Sequence, residues 1–186
     1  MLARLATEIC VDATAAAHFP RAILSLDGGI EPLVVSHVPA EAERKFAAAL
    51  AEARARDGAA GKSLVGPHRS DLRARHAASG LPAEMVSTGE QKALLYGIVL
   101  AHARLIAAEF GTPPVILLDA VAAHLDETRR DLFFETLGTL GAQVFLTGAD
   151  PLPFARLARS AQLFEALDGQ IHPVGAKTLS RIQDRQ

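Results

Sequence analysis

One short segment constrains the fold more than any other. VILLD, at 115–119, is an uninterrupted apolar run that ends in a carboxylate, Asp119. An apolar run without polar alternation is typical of a strand covered on both faces, as in parallel sheets. A second run, AQVFLT at 142–147, follows an amphipathic segment that begins at 127 and ends at Gly141. The sequence therefore predicts two buried strands joined by a helix.

The segments around these runs extend the same alternation. From Glu90 to Phe110 the pattern is apolar nearly all round, which predicts a central, buried helix. Asp150-Pro151 begins a short helix, and Asp168-Gly169 marks the turn of a hairpin. The order predicts an α/β fold with a mainly parallel sheet flanked by helices. Ligands in such sheets bind beyond the carboxyl ends of the strands, where Asp119 is expected to lie.

The first third of the chain is less regular. It predicts a helix over 1–18, then a hairpin in which ILSLD at 23–27 and PLVVS at 32–36 are the two strands. A helix is expected from about 40 to 56, stopped by Asp57-Gly58. Residues 63–76 are interpreted as a loop and an edge strand.

Composition limits the class of protein. The chain has 186 residues, 49% of them apolar, and a single cysteine, Cys10, which excludes an internal disulfide and fits a reducing cytoplasm. Glu8 and Asp12 interrupt any signal-peptide core, and no uncharged apolar run of about 20 residues is present, so no membrane span is expected. The formal charge of −2 neither indicates nor excludes a polyanionic partner.

Asp119 allows two interpretations. An acid after a buried strand can hold Mg²⁺, usually through water, beside a nucleotide phosphate. It can equally cap a turn at the end of the strand.

The segment Ser87-Thr88-Gly89-Glu90-Gln91 also allows two interpretations. Ser-x-x-Glu before a helix is a capping box, which satisfies free amides at the helix start. The same amides, hydroxyl and helix dipole form an anion site, which Gly89 lets a phosphate approach.

Other polar segments are less specific. Gly61-Lys62-Ser63 ends like a P-loop, but Arg56 stands where the first glycine is required, so a P-loop is not expected. His68 and Arg69, and the nearby Arg73 and Arg75, are either contacts for DNA or a partner or ordinary solvated side chains.

Four ordered motifs together resemble one family. GPHRSDL at 66–72, STGEQKALL at 87–95, VILLDAVAAHLDETRR at 115–130 and AQVFLTG at 142–148 resemble the C-terminal half of RecF. This family comprises bacterial replication and repair ATPases related to SMC proteins and ABC ATPases. The resemblance implies a C-terminal lobe of an ABC/SMC-type P-loop ATPase head at 61–176. Residues 1–60 would be the end of the helical arm region and the return to the head, and 177–186 a polar tail.

The resemblance also implies site residues. Ser87, Thr88, Gly89, Glu90 and Gln91 would form the ABC signature, which binds the γ-phosphate of ATP held by the opposite subunit. Glu90 stands where the ABC signature has glutamine. The metal residue would be the Walker B aspartate, Asp119, which organises Mg²⁺. The D-loop at the dimer seam would be Ala123, His124, Leu125 and Asp126, and Asp126 would have a catalytic role. Thr147 would follow the strand where many ABC ATPases carry a switch histidine.

Two departures from the family pattern limit the expected activity. Ala120 stands where the family has an acid that positions the attacking water, and a methyl group cannot polarise water; losing such a base costs about 10²–10⁴-fold. The Walker A loop, the adenine contacts and the Q-loop would lie upstream of this sequence. The chain is therefore expected to be a fragment, incomplete without an N-terminal lobe, with part of the sheet edge and an apolar helix face left uncovered and no ATP turnover alone.

The resemblance implies a role in an ATP-dependent homodimeric clamp on DNA near single-strand/double-strand junctions. Recombination mediator proteins would then be recruited to load the recombinase. The alternative is a non-catalytic scaffold or partner-binding module, derived from such a lobe, in which Ala120 marks abandoned hydrolysis. A GxxxxGK[ST] motif in the neighbouring upstream reading frame favours the first hypothesis, and its absence favours the second.

Overall fold

A computed structural model describes residues 2–11, 19–121 and 125–175. The helices are α1 (Leu2–Val11), α2 (Glu31–Ser36), α3 (Pro39–Ala60), α4 (Thr88–Phe110) and α5 (Glu127–Thr139). The strands are β1 (Ala22–Asp27), β2 (Asp71–His76), β3 (Ile116–Leu118), β4 (Val144–Leu146), β5 (Phe164–Leu167) and β6 (Gln170–Pro173). Three 3₁₀ segments span Pro67–Arg69, Ala83–Met85 and Leu152–Arg159.

The parallel pair β3–β4 lies at the centre of the second half. Ile116 pairs with Val144 and Leu118 with Leu146, as expected for two runs joined by a helix. The inward side chains of this pair pack into the main core around Phe133, which is fully buried. Its ring stacks obliquely on Tyr96 of α4, with 4.8 Å between centroids. The two apolar runs and the two helices beside them therefore share one core.

The predicted α/β fold class is confirmed. The described residues form three separate two-stranded sheets: β3–β4 is parallel, and β1–β2 and β5–β6 are antiparallel. The mainly parallel sheet that the sequence predicts is therefore represented here by the β3–β4 pair. The β5–β6 hairpin turns at Asp168 and Gly169, both with positive φ, as the Asp-Gly signal predicts.

Helix α4 is central because it packs on two sides. One side, including Ala93 and Leu100, belongs to the main core. The other, through Ala101 and Leu105, contacts α1 in a second cluster with Leu5 and Ile9. Ion pairs Arg4–Glu109 (3.1 Å) and Arg104–Glu8 (3.2 Å) connect the same two helices.

By length and composition, α4 is also the one described helix that is apolar enough to cross a membrane. Packing against two clusters accounts for that composition, since core helices of soluble proteins pass the same test.

Two predictions in the first half are wrong. PLVVS is not the second strand of a hairpin: it lies in α2, and β1 pairs instead with the distant β2. Pro32 near the helix start and Glu31 in the first turn both favour a helix over the strand propensity of the two valines. The helix predicted to stop at 57–58 continues to Ala60, where Gly61 with φ 62° caps it. Of the helix predicted over 1–18, residues 12–18 lie outside the described residues.

The prediction that both faces of the VILLD strand are covered is wrong for this chain. Ile116 and Leu118 are buried, but Leu117 between them is 74% exposed. Its partner on β4, Phe145, is 52% exposed. Since side chains alternate along a strand, one face of β3–β4 packs on the core and the other presents an apolar pair to solvent. We call Leu117 and Phe145 the open sheet face.

A candidate nucleotide-contact surface

Ser87 begins α4 with the capping box that the sequence predicts. The Glu90 N–H donates to Ser87 Oγ over 3.3 Å, and the Ser87 N–H donates to Glu90 Oε2 over 3.1 Å. The Ser87 hydroxyl also donates to Glu90 Oε2 over 2.8 Å. These bonds, the hydroxyl first, lower the pKa of Glu90 from its ordinary value. The structural interpretation of the motif is therefore confirmed.

The cap leaves the start of α4 accessible to a ligand. Ser87 and Thr88 are exposed, and Gly89 is half-buried. Within the described part of the chain, the backbone N–H groups of Thr88 and Gly89 donate no hydrogen bond. The Gln91 side chain donates to the carbonyls of Val86 (3.0 Å) and Glu84 (3.3 Å), which holds the preceding loop beside the helix. Two unpaired amides at the positive end of a long helix are suited to an anion.

Asp119 and Ala120 lie at the exposed carboxyl end of β3. The Thr147 hydroxyl, at the end of β4, donates to Asp119 Oδ1, and the Ala120 N–H donates to Thr147 Oγ1 over 3.3 Å. Among the described residues, no arginine or lysine forms an ion pair with Asp119. The carboxylate thus remains accessible at the edge where a sheet of this class binds ligands.

The hydrogen bonds of Thr147 were not predicted from the sequence. A weak signal exists: Thr147 follows the second apolar run as Asp119 follows the first, and parallel strands end at the same edge. Ala120 adds a second unexpected feature, since its φ of 51° is in the left-handed region that an alanine rarely adopts.

Asp126 is the N-cap of α5. Its Oδ1 accepts from the Arg129 N–H over 2.9 Å, and its Oδ2 lies 3.5 Å from Arg129 Nε. Arg129 also contributes to the lowered pKa of Glu90, because its positive charge lies near the start of α4. Ala123 and His124 lie outside the described residues, so the D-loop is described only from Leu125 onward. A catalytic role for Asp126 stays a prediction.

Two of the four residues predicted to contact DNA or a partner, Arg73 and Arg75, have polar partners within the chain. Arg73 lies 3.4 Å from Asp27 and 3.5 Å from Asp71, which offset its charge. Arg75 donates to the carbonyl of Gly80.

The other two of these residues lie on the 3₁₀ turn that precedes β2. His68 hydrogen-bonds through Nε2 to the Ser63 carbonyl over 3.1 Å, and its ring lies where a side chain on Gly66 would collide with it. Arg69 is exposed on the same turn. Contact of these residues with DNA stays a prediction.

The two strongest motifs occupy separate positions. No hydrogen bond or ion pair in the described ranges joins Ser87–Gln91 to Asp119 or Thr147. The described residues also contain no group of three or more acidic, histidine or cysteine side chains that could hold a metal. Asp119 offers one carboxylate, which fits Mg²⁺ only where substrate phosphates and waters complete the octahedron.

Solved structures define the class. A structure of the recombination mediator protein RecF with ATP in the RecFOR pathway aligns over 93% of this chain and 45% of its own, with a TM-score of 0.63 and 21% identity. A chain from a study of ATP-driven dimerization of SMC ATPases aligns over 99% of this chain and 91% of its own, with a TM-score of 0.52 and 15% identity. The fold is therefore that of the C-terminal lobe of an ABC/SMC-type ATPase head.

Curated relatives of this chain are RecF proteins. The DNA replication and repair protein RecF of Mesorhizobium japonicum is 49% identical over 155 residues, and that of Rhizobium meliloti is 50% identical over 154 residues. The matches cover 83% and 82% of this chain. The chain corresponds to the C-terminal half of RecF proteins.

This chain spans about two-fifths of these relatives' length, 41% in both cases. No protein-family profile matches it.

Proposed function

We propose that this chain is the C-terminal lobe of a RecF-type ATP-dependent clamp. It would supply the signature segment Ser87–Gln91, the Walker B residue Asp119 and the D-loop residue Asp126. ATP would be cradled mainly by an N-terminal lobe bearing a Walker A loop, either in a longer protein or on another polypeptide. Alone, the chain is not expected to hydrolyse ATP.

One observation carries this proposal. Ser87 and Asp119 both lie exposed at the ends of elements whose bodies are buried in the main core. Taken separately, a helix cap explains Ser87 and a strand-end turn explains Asp119. Together with the match to RecF relatives, two accessible groups suited to phosphate and to a hydrated cation are better explained by a shared nucleotide.

The open sheet face supports the need for a second lobe. Leu117 and Phe145 are adjacent across the β3–β4 register and both are more than half exposed. Apolar sheet faces in this fold class are normally covered. The RecF relatives have more than half of their length outside the matched region, and we assign the cover to that part of the protein.

Magnesium would be held by Asp119 together with phosphate oxygens and water. Mg²⁺ commonly uses one or two carboxylates beside substrate phosphates, so the single exposed carboxylate at the end of β3 fits that requirement. When bound, the ion would neutralise charge on the phosphates. The chain's own contribution is to orient Asp119 through Thr147 and to present the amides of Thr88 and Gly89 to an anion.

Partners follow from the same assignment. In a complete protein, ATP would join two heads into a homodimer on DNA, and recombination mediators would be recruited there. A cytoplasmic location follows if the chain acts on bacterial DNA. Arg73 and Arg75 already contact acidic or carbonyl groups of this chain. Among the three arginines predicted to contact DNA, Arg69 is therefore the most available for a DNA phosphate.

Mixing this chain with the Walker A-bearing N-terminal half of a RecF relative tests the proposal. ATP and Mg²⁺ should promote association, measured by analytical ultracentrifugation. Ser87→Arg should abolish the ATP-dependent part by blocking phosphate approach, whereas Ser63→Arg, at another exposed serine, should not. Equal association of wild type and the Ser87 variant would refute the signature assignment.

Because Ser87→Arg also removes the helix cap, a second variant is needed. Thr88→Asp leaves the Ser87–Glu90 capping box in place and adds a carboxylate to the first turn of α4, where negative charge is favourable, but it places that charge where the phosphate would approach. It should retain the stability of the chain and lose ATP-dependent association.

Ala120 favours one alternative, a scaffold module that no longer hydrolyses ATP. The side chain of Ala120 is a methyl group, which offers no base for hydrolysis. The two proposals differ in the mixture: the clamp requires ATP-dependent association, whereas a scaffold would bind its partner equally with and without ATP.

A further inference from the structure

Three groups at the ends of β3 and β4 form one hydrogen-bonded cluster. The Thr147 hydroxyl donates to Asp119 Oδ1, and the Ala120 N–H donates back to Thr147 Oγ1 over 3.3 Å. The Thr147 N–H donates to the Leu118 carbonyl over 3.0 Å, continuing the strand ladder. Thr147 therefore connects the carboxylate, the next backbone amide and the neighbouring strand.

We propose that Thr147 is a positioning residue that fixes the orientation of Asp119. Its hydroxyl holds Oδ1 toward β4, and among the described residues Oδ2 accepts no hydrogen bond. That oxygen is the one left to face a hydrated magnesium ion. The orientation of Asp119 follows from the hydrogen bonds alone, while the magnesium part rests on the proposed function.

The same geometry excludes a second role for Thr147. A threonine hydroxyl has one hydrogen and two lone pairs. The hydrogen is donated to Asp119 and one lone pair accepts from Ala120, so a single lone pair remains. Thr147 cannot donate to an attacking water and is a poor proton acceptor. It does not replace the acid missing at Ala120.

The cluster also accounts for the backbone of Ala120. A φ of 51° is unfavourable for a residue with a Cβ, so a specific contact must hold it. The hydrogen bond from the Ala120 N–H to Thr147 Oγ1 is such a contact. Removing the Thr147 hydroxyl should therefore let the Asp119 side chain change rotamer and leave the Ala120 amide without its hydrogen-bond acceptor.

Two variants separate the hydroxyl from the shape of the side chain. Thr147→Val keeps the β-branch and volume and removes the hydroxyl, while Thr147→Ser keeps the hydroxyl. In the chain alone, three-bond couplings from the backbone nitrogen and carbonyl carbon of Asp119 to its side-chain Cγ report its χ1 rotamer. They should show one rotamer in wild type and Thr147→Ser, and an average over several rotamers in Thr147→Val. The Ala120 amide should exchange faster only in Thr147→Val. Identical couplings and exchange in all three proteins would overturn the positioning role.

The magnesium part is tested in the mixture with the N-terminal half. Partners of metal-bound residues typically tune metal affinity by about 10–100-fold, so Thr147→Val should need at least about tenfold more Mg²⁺ for half-maximal ATP-dependent association, and Thr147→Ser should behave as wild type. An unchanged magnesium requirement in Thr147→Val would overturn this part. If wild type shows no ATP-dependent association, the proposed function fails, and the couplings in the chain alone still decide the role of Thr147.

Discussion

Leu117 and Leu118 are neighbours in β3, and truncating each to alanine should affect different properties. Leu118 is 8% exposed and packs in the main core. Leu118→Ala should lower the free energy of unfolding by about 2–5 kcal/mol, as for other buried leucines. Leu117 is 74% exposed, so the same truncation removes only about a quarter of the usual burial and should cost well under about 1 kcal/mol.

Leu117 should matter more for binding the N-terminal lobe than for the stability of the isolated chain. If an N-terminal lobe covers the open sheet face, the three-quarters of Leu117 now exposed becomes buried on binding. At about 0.8 kcal/mol per methylene, Leu117→Ala should then weaken association by about 1–2 kcal/mol, or about 5–30-fold in Kd.

Urea unfolding of the chain alone and calorimetric titration with the N-terminal half measure the two quantities. The reasoning fails if Leu117→Ala destabilises the isolated chain as much as Leu118→Ala does. It also fails if Leu117→Ala leaves the affinity unchanged.

Three further outcomes are expected. Ala120→Glu should raise ATP hydrolysis in the mixture by about 10²-fold or more, because it restores a base beside Asp119; no gain would mean that Ala120 is not the position of the missing acid. Tyr96→Phe should leave the free energy of unfolding unchanged or raise it by about 1 kcal/mol, because the buried Tyr96 hydroxyl has no hydrogen-bond partner among the described residues, and burial raises its pKa; a clear loss of stability would reveal a partner. The lowered pKa of Glu90 stabilises the fold above the ordinary value of 4.5, and this contribution is lost as the pH falls through the lowered value. Stability measured from pH 6 down to about pH 3 should therefore fall more steeply in wild type than in Glu90→Gln, and parallel curves would contradict the capping-box assignment.

The elements that the sequence predicted correctly have strong local signals. Ser-x-x-Glu before an apolar run defined the start of α4, and Asp168-Gly169 defined the last turn. The parallel pair followed from two apolar runs separated by a helix. At the start of α4 and at the hairpin turn, a few adjacent residues select the conformation.

The errors arose where distant parts of the chain decide the structure. PLVVS has strand-forming valines, but β1 had its partner in β2, more than forty residues along, and the segment around Pro32 formed a helix. The exposed Leu117 could not be foreseen from an apolar run, because the run does not show which face has a partner. The Asp119–Thr147 hydrogen bond joins two strand ends 28 positions apart and depends on their register.

The central claim is that the start of α4 contacts a nucleotide phosphate held by another lobe. The most direct measurement is the NMR signal of the Thr88 and Gly89 amides in the mixture with the N-terminal half. Addition of a slowly hydrolysed ATP analogue with Mg²⁺ should shift both amide resonances downfield and slow their exchange, whereas the analogue without the N-terminal half should not. Nucleotide-dependent association that leaves both amides unchanged would contradict the account.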